Sequence, residues 1–190
     1  MAQSCKKLLV VDVESTCWDG DTPIGQQNEI IEIGICFIDL SILEPEPGMS
    51  IFVKPKYSKI SDFCTSLTSI EQKDVDQGIS FTEACSQLRK MNIRHITWGS
   101  WGDYDRRQFE RQCNNIKFSY VSYPFGPTHL NIKNLFALQM GLNKEVGMDK
   151  ALDMLNIKLK GTHHRGIDDA QNIARILCHL LKHSRENSLV

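Results

Sequence analysis

The sequence reads as an α/β chain (α/β or α+β), with one central sheet flanked by helices. Three observations predict this. The opening segment Lys7-Leu8-Leu9-Val10-Val11-Asp12-Val13 is apolar on both faces, the mark of a strand covered on both sides. Strand-like segments come first and then alternate with helical ones, which packs helices against a single sheet. The 190 residues contain no linker composition, repeat or low-complexity stretch. That length suits one domain, since chains usually split only beyond about 250–300 residues. Residues 1–190 are therefore read as a single domain.

In chain order, the first strand is followed by a loop over residues 15–28, rich in Asp, Gly, Thr, Pro and Gln. A second strand, dense in Ile, spans Glu29 to Phe37. The turn-like Glu44-Pro45-Glu46-Pro47-Gly48 leads to a third strand from Met49 to Lys54, and Lys54 to Ser61 is a basic loop. Helices are expected at Ser69–Asp76 and Phe81–Met91, the latter with Phe81, Ala84, Cys85 and Leu88 on one stripe. Ile96-Thr97-Trp98 is a short strand running into Gly99-Ser100-Trp101-Gly102. Further helices are expected near 105–114, 131–141, 148–155 and 168–182.

Composition narrows the function classes. With 41% hydrophobic and 24% charged residues, the chain is neither a disordered tail, a collagen-like fibre nor a coiled coil. A formal net charge of −1 excludes a protein that coats nucleic acid by bulk positive charge, although not one that holds it in a local groove. The seven cysteines form no Cys-x-x-Cys pair, and several lie in apolar runs, as Cys36 does in Ile35-Cys36-Phe37-Ile38. They point to a reduced, cytoplasmic protein. The apolar run after Lys6-Lys7 meets Asp12 at once, too early for a signal peptide, and no stretch approaches the ~20 apolar residues of a membrane helix.

Chemistry is carried by carboxylates. Asp12 and Glu14 lie two apart at the carboxyl end of the first strand, so alternation places them on the face of Leu8 and Val10. Like charges at the end of a buried strand are unfavourable unless a cation neutralises them, and Mg²⁺ or Mn²⁺ prefers such oxygen ligands. The bland alternative is a solvated strand end. Asp105 shares a helix stripe with Phe109 and Cys113, the apolar one, and is preferred as the inward carboxylate over Asp103, which is placed to cap that helix. In Gly161-Thr162-His163-His164-Arg165-Gly166-Ile167-Asp168-Asp169, two registers of His-x-x-x-x-Asp compete. Asp169 is in line with Ile173, Ile176 and Leu180 and so faces the core; Asp168 faces solvent as an N-terminal cap. The inward pair is thus His164 with Asp169.

This order of Asp-x-Glu, Asp and His-x-x-x-x-Asp, with the text around it, resembles the DEDDh 3′→5′ exonucleases, and within them the Eri/KapD subgroup. The carrying segments are Asp12-Val13-Glu14-Ser15-Thr16-Cys17-Trp18, Gln26 to Gly34, Ser61 to Ile70, Gly99 to Asp105 and His164 to Ala174, and the likeness spans about residues 7–182. One departure is Val13, where the subgroup usually has Phe. Another is the absence of the accessory nucleic-acid-binding domain that some relatives carry. The resemblance implies a ribonuclease H-like fold with a mixed five- or six-stranded sheet. It also implies that Asp12, Glu14, Asp105 and Asp169 bind metal and that His164 is the general base. Four carboxylates suffice for two divalent ions about 3.5–4 Å apart, flanking the phosphorus in an in-line displacement. The expected reaction hydrolyses RNA from its 3′ end and releases nucleoside 5′-monophosphates.

Substrate grip needs stacking more than net charge, since base-on-aromatic stacking contributes roughly 1–3 kcal/mol per base. Phe63 and Tyr104, with Trp101 as an alternative, are expected to sandwich the terminal base. Leu67 and Thr68, placed at the start of a helix, are implied by the resemblance to contact the terminal base and sugar. Basic residues gather at Lys54, Lys56 and Lys59, at Arg106 and Arg107, and at Lys158, Lys160 and Arg165, with Arg165 the best candidate for a phosphate. Glu32 is read as structural rather than as a fifth ligand. Setting the four acids of the pit aside leaves 19 acids against 22 bases, a modest surplus for a phosphate-bearing substrate. Single-stranded DNA is the competing substrate, since the 2′-hydroxyl is the discriminating atom and no residue identifies its partner. A non-catalytic RNA-binding module is disfavoured because all five catalytic positions are filled.

Overall fold

The computed structural model describes residues 6–115, 117 and 120–187. Cys5 lies outside them; the described cysteines are free thiols. Strand β1 (Lys7–Ser15) is central, flanked by β2 (Ile30–Asp39) on one side and β5 (Trp98–Ser100) on the other. Beyond β2 lie β3 (Glu44–Pro45) and β4 (Met49–Phe52), both antiparallel to it; beyond β5 lies β6 (His129–Asn131), parallel to it. β1 runs antiparallel to β2 and parallel to β5, so the six-stranded sheet is mixed. The helices are α1 (Asp62–Thr68), α2 (Gln72–Asp76), α3 (Phe81–Lys90), α4 (Tyr104–Cys113), α5 (Ile132–Gln139), α6 (Met148–Met154) and α7 (Gly166–Asn187). Among the described residues, no helix is long and apolar enough to cross a membrane.

Alternation along β1 builds two cores. Leu9, Val11 and Val13 face one side with Ile33, Ile35, Phe81, Leu88 and Phe109. Leu8 and Val10 face the other with Cys36, Ile38, Ile132, Phe136 and the buried stripe of α7. Asp12 and Glu14 continue the even-numbered face, so the strand that builds the second core ends by pointing two carboxylates toward α7.

Three elements differ from expectation. Glu44–Pro45, read as turn, pairs with Ile38 and Asp39 as the edge strand β3, a position where proline's missing N–H forfeits no ladder bond. α1 lies ahead of the expected helix start. Ser61 caps it by accepting from the Cys64 N–H, and Ser69 ends it in the left-handed region at φ 58°, which separates it from α2. β6 is three half-buried residues, too short to leave a periodic trace in the sequence. The basic loop at 54–58 is fixed from beneath by buried Glu29, whose carboxylate accepts the backbone N–H groups of Lys56 and Tyr57 at 2.7 and 2.9 Å.

Gly34 sets how closely α7 approaches the sheet. It stands opposite Asp12 in the ladder, and a Cβ there would lie 1.9 Å from both the carbonyl carbon and oxygen of Gly166. The two glycines let the first turn of α7 rest directly on β2, which brings Asp169 beside Asp12. Gly34→Ala is expected to destabilise the fold by at least the usual overpacking penalty of about 1–3 kcal/mol. It should also lift the start of α7 off the sheet; urea unfolding midpoints and cation affinity check both effects.

Candidate active site

The end of β1 and the first turns of α4 and α7 meet at a cavity of about 330 Å³. Asp12, Glu14, Asp105, Asp169, His163 and His164 line it, with Trp101, Tyr104, Met148 and Asp149 among the other lining residues. Oxygen atoms of Asp12, Glu14 and Asp169 lie within 4.8 Å of one another. Asp105 is 4% exposed, and its Oδ1 accepts the Val13 N–H at 2.9 Å, which ties α4 to β1 between the two strand carboxylates. The helix stripe that selected Asp105 and Asp169 is visible in the packing, since Phe109 and Cys113 are buried beyond the first, and Ile173, Ile176 and Leu180 beyond the second. Asp103 turns outward instead, to Arg106 at 3.1 Å and Asn131 at 3.4 Å.

Crowding of these acids marks the site electrostatically. Burial, followed by repulsion from Asp105, Glu14 and Asp169, raises the Asp12 carboxyl well above its ordinary value. Burial and the neighbouring Asp169 push Glu14 up to about 8. Asp105 and Asp169 are pushed up to about 6, again by burial first, against the opposing backbone N–H groups of Val13 and His164 respectively. Among the described residues, the buried Asp169 Oδ1 has no hydrogen-bond partner. An orphaned carboxylate oxygen among four mutually repelling acids is a donor set that could hold a hard divalent cation.

The loop before α7 presents both histidines. His164 adopts a left-handed backbone at φ 63°, a conformation costing a non-glycine residue about 1–2 kcal/mol. Its N–H donates to Asp169 Oδ2 at 2.9 Å, which holds that conformation in place. The rings of His163 and His164 stack at 4.0 Å and 15°, and His163 Nε2 lies 3.8 Å from Asp169 Oδ2. Helix periodicity thus identifies the inward aspartate, whereas both imidazoles reach the cavity. Burial, then the neighbouring His163, lowers the His164 pKa, while Asp149 opposes. Asp168 does not cap the helix N-terminus. α7 starts earlier, at Gly166, and the Asp168 carboxylate accepts the Thr162 N–H at 2.8 Å, closing the histidine loop.

Other expectations are corrected. The Arg165 guanidinium, expected to meet a phosphate, pairs with Glu32 through Nε at 3.1 Å and Nη2 at 3.4 Å and lies over the Phe52 ring. Glu32, fully buried, also accepts Ser50 Oγ at 2.6 Å and the Gly166 N–H at 3.0 Å. This carboxylate fastens the histidine loop and the start of α7 to β2. Glu32→Gln should leave Arg165 without its counter-charge and cost about 3 kcal/mol in a chemical denaturation measurement. Leu67 and Thr68 end α1 rather than begin a helix. Thr68 is fully buried, with its hydroxyl donating to Cys64 O at 2.8 Å and accepting from the Ile70 N–H at 3.1 Å, so its one hydroxyl proton is committed within the fold. Phe63 and Leu67 are each 39% exposed on α1, outside the cavity lining, whereas Trp101 and Tyr104 form part of its wall.

Two contributors escaped the sequence reading. Asp149 sits in the first turn of α6 on the cavity wall; in the sequence it is indistinguishable from an acid complementing a helix dipole. Ser100, fully buried, donates to Gly102 O at 3.0 Å with its Oγ 2.9 Å from His129 Nε2, and its hydroxyl is among the groups that hold the Asp105 pKa down against burial. A serine in a Gly-Ser-Trp-Gly turn carries no signal of that contact.

Comparison with known proteins identifies the family and the fold. The RNase_T family, described as Exonuclease, matches residues 9–177. Human 3′-5′ exoribonuclease 1 is 30% identical over 92% of this chain, and the chain spans about half (52%) of that relative's length. The probable 3′-5′ exonuclease KapD of Bacillus subtilis (strain 168) is 32% identical over 86% of this chain and 78% of its own length. Among solved structures, the nuclease domain of 3′hExo, described as a DEDDh family member bound to rAMP, superposes with a TM-score of 0.82. It shares 27% identity, covering 94% of this chain and 92% of that one. The mixed sheet with flanking helices is the ribonuclease H-like arrangement that the motifs implied. The chain belongs to the RNase_T exonuclease family.

Proposed function

We propose that this chain is a 3′→5′ exoribonuclease, working as one exonuclease domain over residues 1–190. It would hydrolyse the terminal phosphodiester of RNA 3′ ends, single-stranded or in short overhangs, and release nucleoside 5′-monophosphates. The observation that carries the reading is the convergence of Asp12, Glu14, Asp105 and Asp169 on one cavity beside an imidazole. Relatives named as exoribonucleases support RNA as the substrate.

The four carboxylates would hold two divalent cations, Mg²⁺ or Mn²⁺. When bound, such ions supply Lewis acidity at the phosphoryl oxygens and acidify water. The protein's own residues do the rest. A ring nitrogen of His164, kept unprotonated at neutral pH by burial and His163, accepts the proton of the attacking water. The water oxygen joins the phosphorus, the P–O3′ bond breaks, the upstream strand keeps O3′ and takes up a proton there, and the terminal nucleotide leaves with its 5′-phosphate. Asp169 holds the His164 backbone in place, and Trp101 and Tyr104 offer faces to the terminal base.

The deciding experiment incubates the protein with 5′-labelled RNA and DNA single strands in Mg²⁺, Mn²⁺ or EDTA. A ladder of shortened RNA products that EDTA abolishes is expected. A ladder on DNA alone would transfer the reading to a DNA exonuclease, and no shortening in either metal would leave a binding module.

A further inference from the structure

Tyr104 forms part of the wall of two concavities. One is the cavity just described; the other, of about 310 Å³, is lined by Asn28, Tyr104, Arg107, Gln108 and Arg111. Arg107 and Arg111 are exposed and four residues apart on α4, so they share a face and are separated along the axis by about 6 Å. Among the described residues neither forms an ion pair with a carboxylate, in contrast to Arg106, which bonds to Asp103 and Glu110. α4 therefore carries one neutralised arginine and two with uncompensated charge, and the latter pair lines the groove beyond Tyr104.

The groove is organised by its own hydrogen bonds. Arg111 Nη2 donates to Asn28 O at 3.1 Å, to Asn28 Oδ1 at 2.5 Å and to Gln108 Oε1. The Tyr104 hydroxyl donates to the same Asn28 Oδ1 at 3.3 Å. An arginine fixed in this way loses less side-chain freedom on meeting a ligand. The surrounding charges also give a strand a direction. A polymer with its 3′ end at the carboxylates has to leave the cavity across one of its walls. The Gly147–Asp149 wall presents an exposed carboxylate, which repels phosphate, while the Tyr104 wall opens onto two cations.

We propose that this groove binds the phosphodiester backbone upstream of the scissile end, with Arg107 and Arg111 facing successive phosphates. The inference rests on the reading that a strand's 3′ end enters the carboxylate cavity. The test compares the wild type with Arg107→Ala, Arg107→Glu and Arg111→Lys on a single-stranded ten-nucleotide RNA and on a dinucleotide. Among the described residues the exposed Arg107 side chain forms no hydrogen bond or ion pair, so its replacement tests charge without breaking the Asn28 network.

Arg107→Glu is expected to lower the preference for the ten-mer over the dinucleotide by roughly tenfold, acting through KM. Arg107→Ala should make log(kcat/KM) against log[salt] shallower by about 0.7, the single-strand value for one phosphate contact. Arg111→Lys, which retains the charge, should fall between wild type and Arg107→Glu. Fluorescence anisotropy of the labelled ten-mer in EDTA reads binding apart from turnover. Weakened binding by the variants of a wild type that cleaves nothing would keep the groove and overturn the nuclease reading. Unchanged length preference, salt slope and anisotropy in Arg107→Glu would overturn the groove.

Discussion

His164→Ala is expected to reduce turnover of a single-stranded RNA by roughly 10²–10⁴-fold, the usual loss on removing a general base, while leaving cation binding by the carboxylates in place. His163→Ala should reduce it far less. The contrast matters because both rings line the cavity and His163 Nε2 is the imidazole nitrogen near Asp169. Removing the His164 ring leaves its backbone N–H on Asp169, so the loop stays anchored and the loss reports chemistry. The pH dependence sharpens the test. A base acts unprotonated, so the rate falls as pH drops through its pKa, and burial holds that of His164 below the ordinary 6.5. With saturating Mn²⁺, the acid limb of the single-turnover rate should lie below that value in the wild type and vanish in His164→Ala. Turnover within threefold of the wild type, or an equal loss in His163→Ala, would remove His164 from its role.

How legible the site was depended on whether a residue's role follows from local periodicity. Asp12 and Glu14 were readable because strand alternation aligned them with Leu8 and Val10, and Asp169 because helical spacing aligned it with Ile173, Ile176 and Leu180. What depends on distant contacts was not readable. The charges of Arg165 and Glu32, 133 residues apart, gave no hint that they pair. Gly34 is an ordinary strand residue until α7 is laid across it. The burial of Thr68 was not readable because its hydroxyl accepts the Ile70 N–H just past α1, a contact that depends on the left-handed Ser69 that ends the helix. Even the fold's omissions share this origin, since β6 exists only because β5 supplies its ladder partner.

Asp105→Asn should abolish activity and yet make the cation-free protein more stable at pH 8. Glu14 is raised from 4.5 to about 8, and Asp105 and Asp169 from 3.8 to about 6. At these three carboxyls the folded protein therefore binds more protons than the unfolded chain between about pH 4 and pH 8. Their contribution to stability accordingly falls as pH rises across that window, the reverse of ordinary acid denaturation, and is opposed in part by His129 and His164, whose pKa values are lowered. For Asp105 alone, a rise of about two pKa units corresponds to roughly 3 kcal/mol of native-state strain once the group is ionised. Asparagine retains an oxygen for the Val13 N–H and removes the charge, so Tm at pH 8 in EDTA should rise by about 5–10 °C. At pH 5, where the native carboxyl is largely protonated, the gain should shrink. Excess Mn²⁺ should raise the wild-type Tm at pH 8 by neutralising the same charges, and should raise that of Asp105→Asn much less, because the variant has lost a ligand. A wild-type Tm in EDTA that climbs from pH 5 to pH 8, or a variant less stable than the wild type at pH 8, would contradict this account. The fold would then tolerate its four acids for some reason other than a cation, since only a counter-ion makes their strain useful.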